Sequence, residues 1–273
     1  MEHPGTAPTV QKIVVLNPKG GSGKSTIATN LAAYYAWKGR CVALMDHDPQ
    51  GSSMRWLKLR PPELPAIHGI AAYERKMGVT RAFALRTPPG TERLIVDTPA
   101  AVTSLQMPEL TQDAHAIVVP VMPSEIDIHA ASRCIADLLL VAKIKRAENR
   151  IGVVANRVRK NTLMFQALMR FLEKLDIPVI ATIRDSQNYV RAAEQGVGIH
   201  EMKAYTVRED VAQWETLLAW LEPERVLADQ PAPLQEQPAP EAVPAAAEAA
   251  IEPRNDETGA HDARFVVGAG PFS

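Results

Sequence analysis

Ile13-Val14-Val15-Leu16-Asn17-Pro18-Lys19-Gly20-Gly21-Ser22-Gly23-Lys24-Ser25-Thr26 is the stretch that decides the fold. Its start, residues 13–17, is a short apolar run with β-branched side chains. A loop with three glycines follows, and from Lys24 a helical pattern runs to residue 38. Strand, glycine loop and helix in that order form the context of a phosphate-binding loop. Gly20, Gly21 and Gly23 let backbone N–H groups turn inward around one anion. The helix that opens behind them adds the positive end of its dipole. From residue 17 the chain reads N-P-K-G-G-S-G-K-S, which is close to G-x-x-x-x-G-K-[ST] but lacks its first glycine. Lys24 is placed to reach the β- and γ-phosphates of a nucleotide, and the Ser25 hydroxyl to ligate Mg²⁺. Ser22 and Thr26 complete the set expected around the phosphates.

Outward from this stretch, short apolar runs alternate with longer helical patterns. The predicted strands are 13–17, 42–46, 94–97, 116–120, 151–155 and 179–183. The predicted helices are 24–38, 124–145, 163–175, 187–195 and 207–221. Near-continuous apolar runs are what strands covered on both faces require. Their alternation with helices predicts an α/β domain, a doubly wound and mostly parallel sheet flanked by helices, over 12–222. Residues 1–11 are expected to be a flexible arm. From residue 223, Pro231, Pro233, Pro238, Pro240 and Pro244 punctuate an Ala/Glu-rich segment. Such a segment cannot bury enough apolar surface to offset its ordering entropy, so 223–273 is read as a disordered tail.

The chain has 273 residues, 46% hydrophobic and 22% charged, which suits a globular domain. Its net charge of -1 conceals a division. The predicted tail holds three basic and nine acidic residues, which leaves 27 of the 30 basic and 22 of the 31 acidic ones in 1–222. A body of net +5 is compatible with a polyanionic partner, and equally with ordinary scatter. Cys41 and Cys134 lie in apolar segments without metal-ligand spacing, and both are expected to be buried thiols in a reducing compartment. Residues 1–11 carry no secretory pattern, and no run reaches the roughly 18 apolar residues of a membrane span.

Two further motifs follow the first. Asp46-His47-Asp48-Pro49-Gln50-Gly51 ends one predicted strand, and Ile95-Val96-Asp97-Thr98-Pro99-Ala100 ends another. Together with Lys19 in K-G-G-S-G-K-S, they resemble, in order, the motifs of the ParA/MinD family of deviant Walker A P-loop ATPases. The resemblance spans 12–222 and points to small ParA-like proteins. It implies ATP and Mg²⁺ as ligands and an ATP-dependent homodimer. Lys19 would then reach across to phosphates held by the other subunit. That role is reasonable on spacing as well, since Lys24 already serves the loop's own phosphate. Asp48 would orient or deprotonate the attacking water, Asp46 would support Mg²⁺ and its waters, and Asp97 would hold Mg²⁺ through water. Asn156 and Arg184, at the ends of later strands, are expected near the adenine. Pro18, Ser25 and the absence of a second proline after Pro99 depart from the family pattern without removing a ligand.

The resemblance further implies a partner that stimulates hydrolysis, ParB-like or an adaptor, and a cytoplasmic, nucleoid-associated protein. With no long N-terminal extension, the helix-turn-helix module of larger ParA proteins is expected to be absent. Nonspecific DNA binding would use Arg157, Arg159 and Lys160, with Lys203 and Arg208. The alternative is a MinD-like membrane ATPase, which needs a basic amphipathic C-terminal helix; the Pro-rich acidic terminus is poor material for one. A third reading, an ATP-dependent synthetase, would need a second substrate pocket that the sequence does not display.

Overall fold

The computed structural model describes residues 10–74, 78–159 and 162–222. Seven strands build one sheet. They are β1 (Gln11–Val15), β2 (Val42–Asp46), β3 (His68–Ala71), β4 (Arg93–Asp97), β5 (Ala116–Val121), β6 (Ile151–Val158) and β7 (Val179–Arg184). The order is β3-β2-β4-β1-β5-β6-β7, and every pairing is parallel. The helices are α1 (Lys24–Trp37), α2 (Ser52–Lys58), α3 (Arg81–Ala84), α4 (Met107–Thr111), α5 (Glu125–Leu140), α6 (Leu163–Leu175), α7 (Gln187–Glu194), α8 (Ala204–Ala212) and α9 (Glu215–Leu221). The expected doubly wound α/β sheet is therefore present, and it is parallel throughout.

Alternation along β1 divides the core into two layers. Ile13 and Val15 join α1, α2, α8 and α9 on one face, while Val14 and Leu16 join α4, α5 and α6 on the other. Central strands are consequently apolar at nearly every position, as β2 and β5 show. Fully burying a side chain such as Leu31 or Leu44 contributes roughly 1.5–3 kcal/mol. After β1 the chain turns toward β2, and after β5 toward β6 on the opposite side. A crevice opens at the C-terminal ends of the strands where the winding reverses, the place where such sheets bind ligands.

Several expectations need correction. The first strand begins two residues earlier than the apolar run, because Gln11 pairs with Arg93 at the sheet's lower edge. β3 was not expected. It is a four-residue edge strand without a β-branched run, and Gly69 in it admits α2 so closely that a Cβ would meet Leu57 at 2.6 Å. The helix predicted over 124–145 stops at Leu140, and Lys143, at φ 57°, turns the chain so that Ile144 folds back into the core. The helix predicted over 207–221 is two helices. The break at 213–214 seats Trp214, fully buried, with its indole N–H donating to the Tyr189 hydroxyl at 3.0 Å. Cys134 is buried as expected, but Cys41 is exposed, since it lies just outside β2. The predicted tail, all of the predicted arm except residues 10 and 11, and Lys160 lie outside the described residues. Among the described residues no helix is long and apolar enough to cross a membrane.

Candidate functional site: a nucleotide-phosphate cleft

The glycine loop leaves the top of β1 and is pinned by side chains on both sides. Asn17 donates its amide to the Pro120 carbonyl at 2.7 Å, tying β1 to β5, and accepts the Lys19 N–H at 2.9 Å. The Pro18 carbonyl accepts the Ala101 N–H at 2.7 Å, tying the loop to the segment after β4. From β6, Asn156 donates to the Ser22 carbonyl at 2.9 Å. It packs so tightly that a Cβ on Gly23 would lie 2.1 Å from its amide, and Gly23 itself sits at φ 92°. Only glycine meets both conditions. Lys24 opens α1 and is 6% exposed; its ammonium donates to the Lys19 carbonyl at 3.1 Å. Burial lowers its pKa, and the negative charges of Asp97 and Asp48 oppose that shift.

The acidic residues arrive from neighbouring strand ends. Asp46 and Asp97 are direct partners in the β2–β4 register, and Asp97 pairs with Val15 of β1. Asp46 is committed to the backbone. Its two oxygens accept N–H groups from Asp48 at 3.0 Å, Ser53 at 3.0 Å and Met54 at 3.1 Å, so it organises the loop and the start of α2. Asp97 accepts the Ser53 hydroxyl at 2.7 Å on Oδ2, while its buried Oδ1 has no protein partner. Burial raises its pKa to about 6, against the Ser53 hydrogen bond and the nearby Ser25 hydroxyl, which pull the other way. Asp48 is half-buried, caps the Gln50 N–H at 2.9 Å and lines the cleft.

The cleft measures about 770 Å³ and runs from the glycine loop past Asp48 to α7, with Asn156 and Arg184 in its walls. Arg184 is held by Asp210 through two hydrogen bonds, at 2.5 and 3.0 Å, and by Glu209. Arg157 and Arg159 share Asp185 at 3.2 and 3.1 Å, so the basic run expected to face a polyanion is partly neutralised; Lys203 and Arg208 are exposed. Sequence reading missed Ser53, which couples Asp46 to Asp97, Asn17, which ties β1 to β5, and Asp127, whose carboxylate forms an ion pair with the Lys19 ammonium. Ser53 carried a signal, its position three residues past Pro-Gln in the second motif. Asp127 carried none.

A glycine loop at the N-terminus of α1, a buried lysine and a buried carboxylate with an open lone pair, gathered at the switch point of a parallel sheet, define a P-loop nucleotide-binding protein. A family model described as the CobQ/CobB/MinD/ParA nucleotide binding domain matches residues 13–199. The chain is 28% identical over 193 residues to the maintenance of carboxysome distribution protein A of Halothiobacillus neapolitanus, covering 70% of this chain and 88% of that protein. It is 32% identical over 212 residues to the protein of the same name from Gloeobacter kilaueensis, covering 74% and 89%. The structure of a Cyanothece McdA variant in complex with ATP superposes with a TM-score of 0.58 at 17% identity, over 76% of this chain and 96% of that one, a likeness of fold. The chain belongs to the ParA/MinD family of nucleotide-binding proteins.

Proposed function

We propose that this chain is an ATPase that pairs with a second copy around ATP and uses hydrolysis to time the positioning of a large cellular cargo. The observation that carries the reading is the buried, unpartnered Oδ1 of Asp97 beside the glycine loop, with Ser25 and Lys24 as neighbours. One carboxylate oxygen with a hydroxyl nearby suits Mg²⁺, which keeps several waters and takes its other ligands from phosphate. When bound, Mg²⁺ would neutralise charge on the β- and γ-phosphates. Lys24 would hold the same phosphates within the subunit, Asp48 would position the attacking water, and Lys19 would serve the facing subunit. Asn156 and Arg184 would flank the adenine.

The names of the two relatives concern carboxysome distribution, and both are matched over most of their length. A large protein assembly is therefore the favoured cargo, with DNA as a second candidate. ATP-dependent nonspecific DNA binding would supply the surface on which the ATP form moves, at the nucleoid in the cytoplasm. A ParB-like or adaptor protein would trigger hydrolysis.

Two substitutions test the roles. Lys24→Ala is expected to abolish nucleotide binding, because a charge leaves the phosphate cradle. Asp48→Ala is expected to keep ATP affinity and lose turnover by roughly two to four orders of magnitude, since water positioning acts in the transition state. Calorimetric ATP titration with single-turnover hydrolysis separates the two, and equal loss of affinity in both variants would refute the assignment. Sedimentation of Asp48→Ala should show a dimer with ATP and a monomer with ADP.

A further inference from the structure

Lys19 does not face the cleft of its own chain. Gly20, Gly21, Gly23 and Lys24 line that cleft, and Lys19 is absent from its walls. Its ammonium forms an ion pair with Asp127 in the first turn of α5. The Asp127 side chain is 1% exposed, against 28% for Lys19. Asp127 Oδ2 receives both Lys19 Nζ and the Ser124 hydroxyl, and the buried Oδ1 has no partner. Among the described residues, Lys19 is the one cation paired with this carboxylate.

We propose that Asp127 is a positioning residue that holds Lys19 within its own subunit and so sets a threshold for nucleotide-driven pairing of two chains. The inference rests on the reading that Lys19 acts across a dimer. A buried carboxylate whose counter-charge departs loses the interaction that offset its desolvation. Lys19 accordingly leaves Asp127 only for an anion that attracts it more strongly. A triphosphate in a facing subunit is such an anion, and a diphosphate is a weaker one. The ion pair subtracts the same amount from both attractions, which leaves ATP above the threshold and ADP below it. Ser124, whose hydroxyl also reaches Oδ2 and caps the Asp127 N–H at 3.2 Å, keeps the carboxylate aimed at Lys19 while the latch is closed.

The test uses the full chain carrying Asp48→Ala, with and without Asp127→Asn, in sedimentation velocity over a range of ATP and ADP concentrations. Asp127→Asn is expected to tighten the ATP dimer by about a hundredfold, about tenfold for each of the two competing charge-assisted hydrogen bonds it removes from the pair of chains. It should also allow measurable pairing with ADP. Lys19→Gln should weaken the ATP dimer, and adding Asp127→Asn to it should change the dimer no further, because the pair is already broken. An ATP dimer unchanged or weakened by Asp127→Asn overturns the latch alone. If the Asp48→Ala parent never dimerises with ATP, the proposed function falls and the latch with it. A measurement on the nucleotide-free natural sequence needs no folding variant: amine acetylation read by mass spectrometry should modify Lys19 several-fold more slowly than the exposed Lys58 and Lys203. Equal rates would overturn the proposal.

Discussion

Asp97 shows how a single side chain carries both a cost and a use. Its folded pKa of about 6 lies above the ordinary 3.8 because burial disfavours the carboxylate. The folded protein therefore holds the Asp97 proton more tightly than the unfolded chain does. The contribution of this group to stability is complete below about pH 4 and is lost as pH rises through about 6. Asp97→Asn removes the charge and keeps an acceptor for Ser53. The nucleotide-free variant is expected to be more stable than its parent at pH 8, by on the order of 2–3 kcal/mol, and to match it at pH 4. Urea denaturation at the two pH values reads the difference. A variant less stable than its parent at pH 8 would show that the carboxylate is held by partners stronger than those described. The same substitution should abolish any gain in stability from Mg²⁺ with nucleotide.

At the scale of elements, α2 and the turn Ile199–Glu201 are joined by a buried ion pair that no local pattern signals. Arg60, just past the end of α2, meets Glu201 at 2.6 and 2.9 Å, with side chains 5% and 1% exposed. Arg60 also donates to the Pro65 carbonyl at 3.0 Å and lies 5.6 Å over the Trp56 ring, while the Trp56 indole reaches the Val197 carbonyl at 3.3 Å. Glu201→Gln leaves the guanidinium buried without a counter-charge, and should destabilise the fold by roughly 3–5 kcal/mol. Replacing both residues by Met should cost far less, since no charge is stranded. Guanidinium denaturation of the three proteins checks the order. Because α2 carries Ser53, the single variant should also loosen the coupling of Asp46 to Asp97 and weaken nucleotide binding. The element boundaries illustrate the same dependence. The starts of α5 and α6 were read from the sequence at 124 and 163, and in the fold the Ser124 and Thr162 hydroxyls cap them by accepting from Asp127 and Phe165. The break between α8 and α9 was not, because it exists to place Trp214 against Tyr189.

For the whole molecule, the proposed DNA surface is a matter of charge. Pairing two subunits would double the basic groups on one footprint. Arg157 and Arg159 are exposed but bound to Asp185, so each offers less attraction than its formal charge suggests. The ATP-bound Asp48→Ala dimer is expected to bind duplex DNA without sequence preference and to release it with ADP. Substituting Arg157 and Arg159 together should weaken binding to all sequences alike, and reduce the magnitude of the log–log salt slope by about 0.9 for each phosphate no longer neutralised. Asp185→Asn, which frees both guanidinium groups, should strengthen it. Fluorescence anisotropy at several salt concentrations measures all three effects. A dimer that ignores DNA and sediments with anionic vesicles would transfer the reading to a membrane surface; one that does neither would leave a protein scaffold as the partner.

The phosphate loop was legible from the sequence alone because its cradle is contiguous: a strand, three glycines and a helix start are local preferences of a few neighbouring residues. The six strands read from apolar runs were legible for a similar reason, since burial on both faces leaves a mark at every position. The acidic motifs were legible through their resemblance to a known family. Tertiary structure decided the rest. The strand order sets Asp46 beside Asp97 and brings Ser53 between them. Packing from β6 presses Asn156 onto Gly23. The fold as a whole removes Asp97 from water and gives Lys19 a partner 108 residues away. Desolvation and ion pairing depend on which distant groups share a low-dielectric neighbourhood, and only the folded chain determines that neighbourhood.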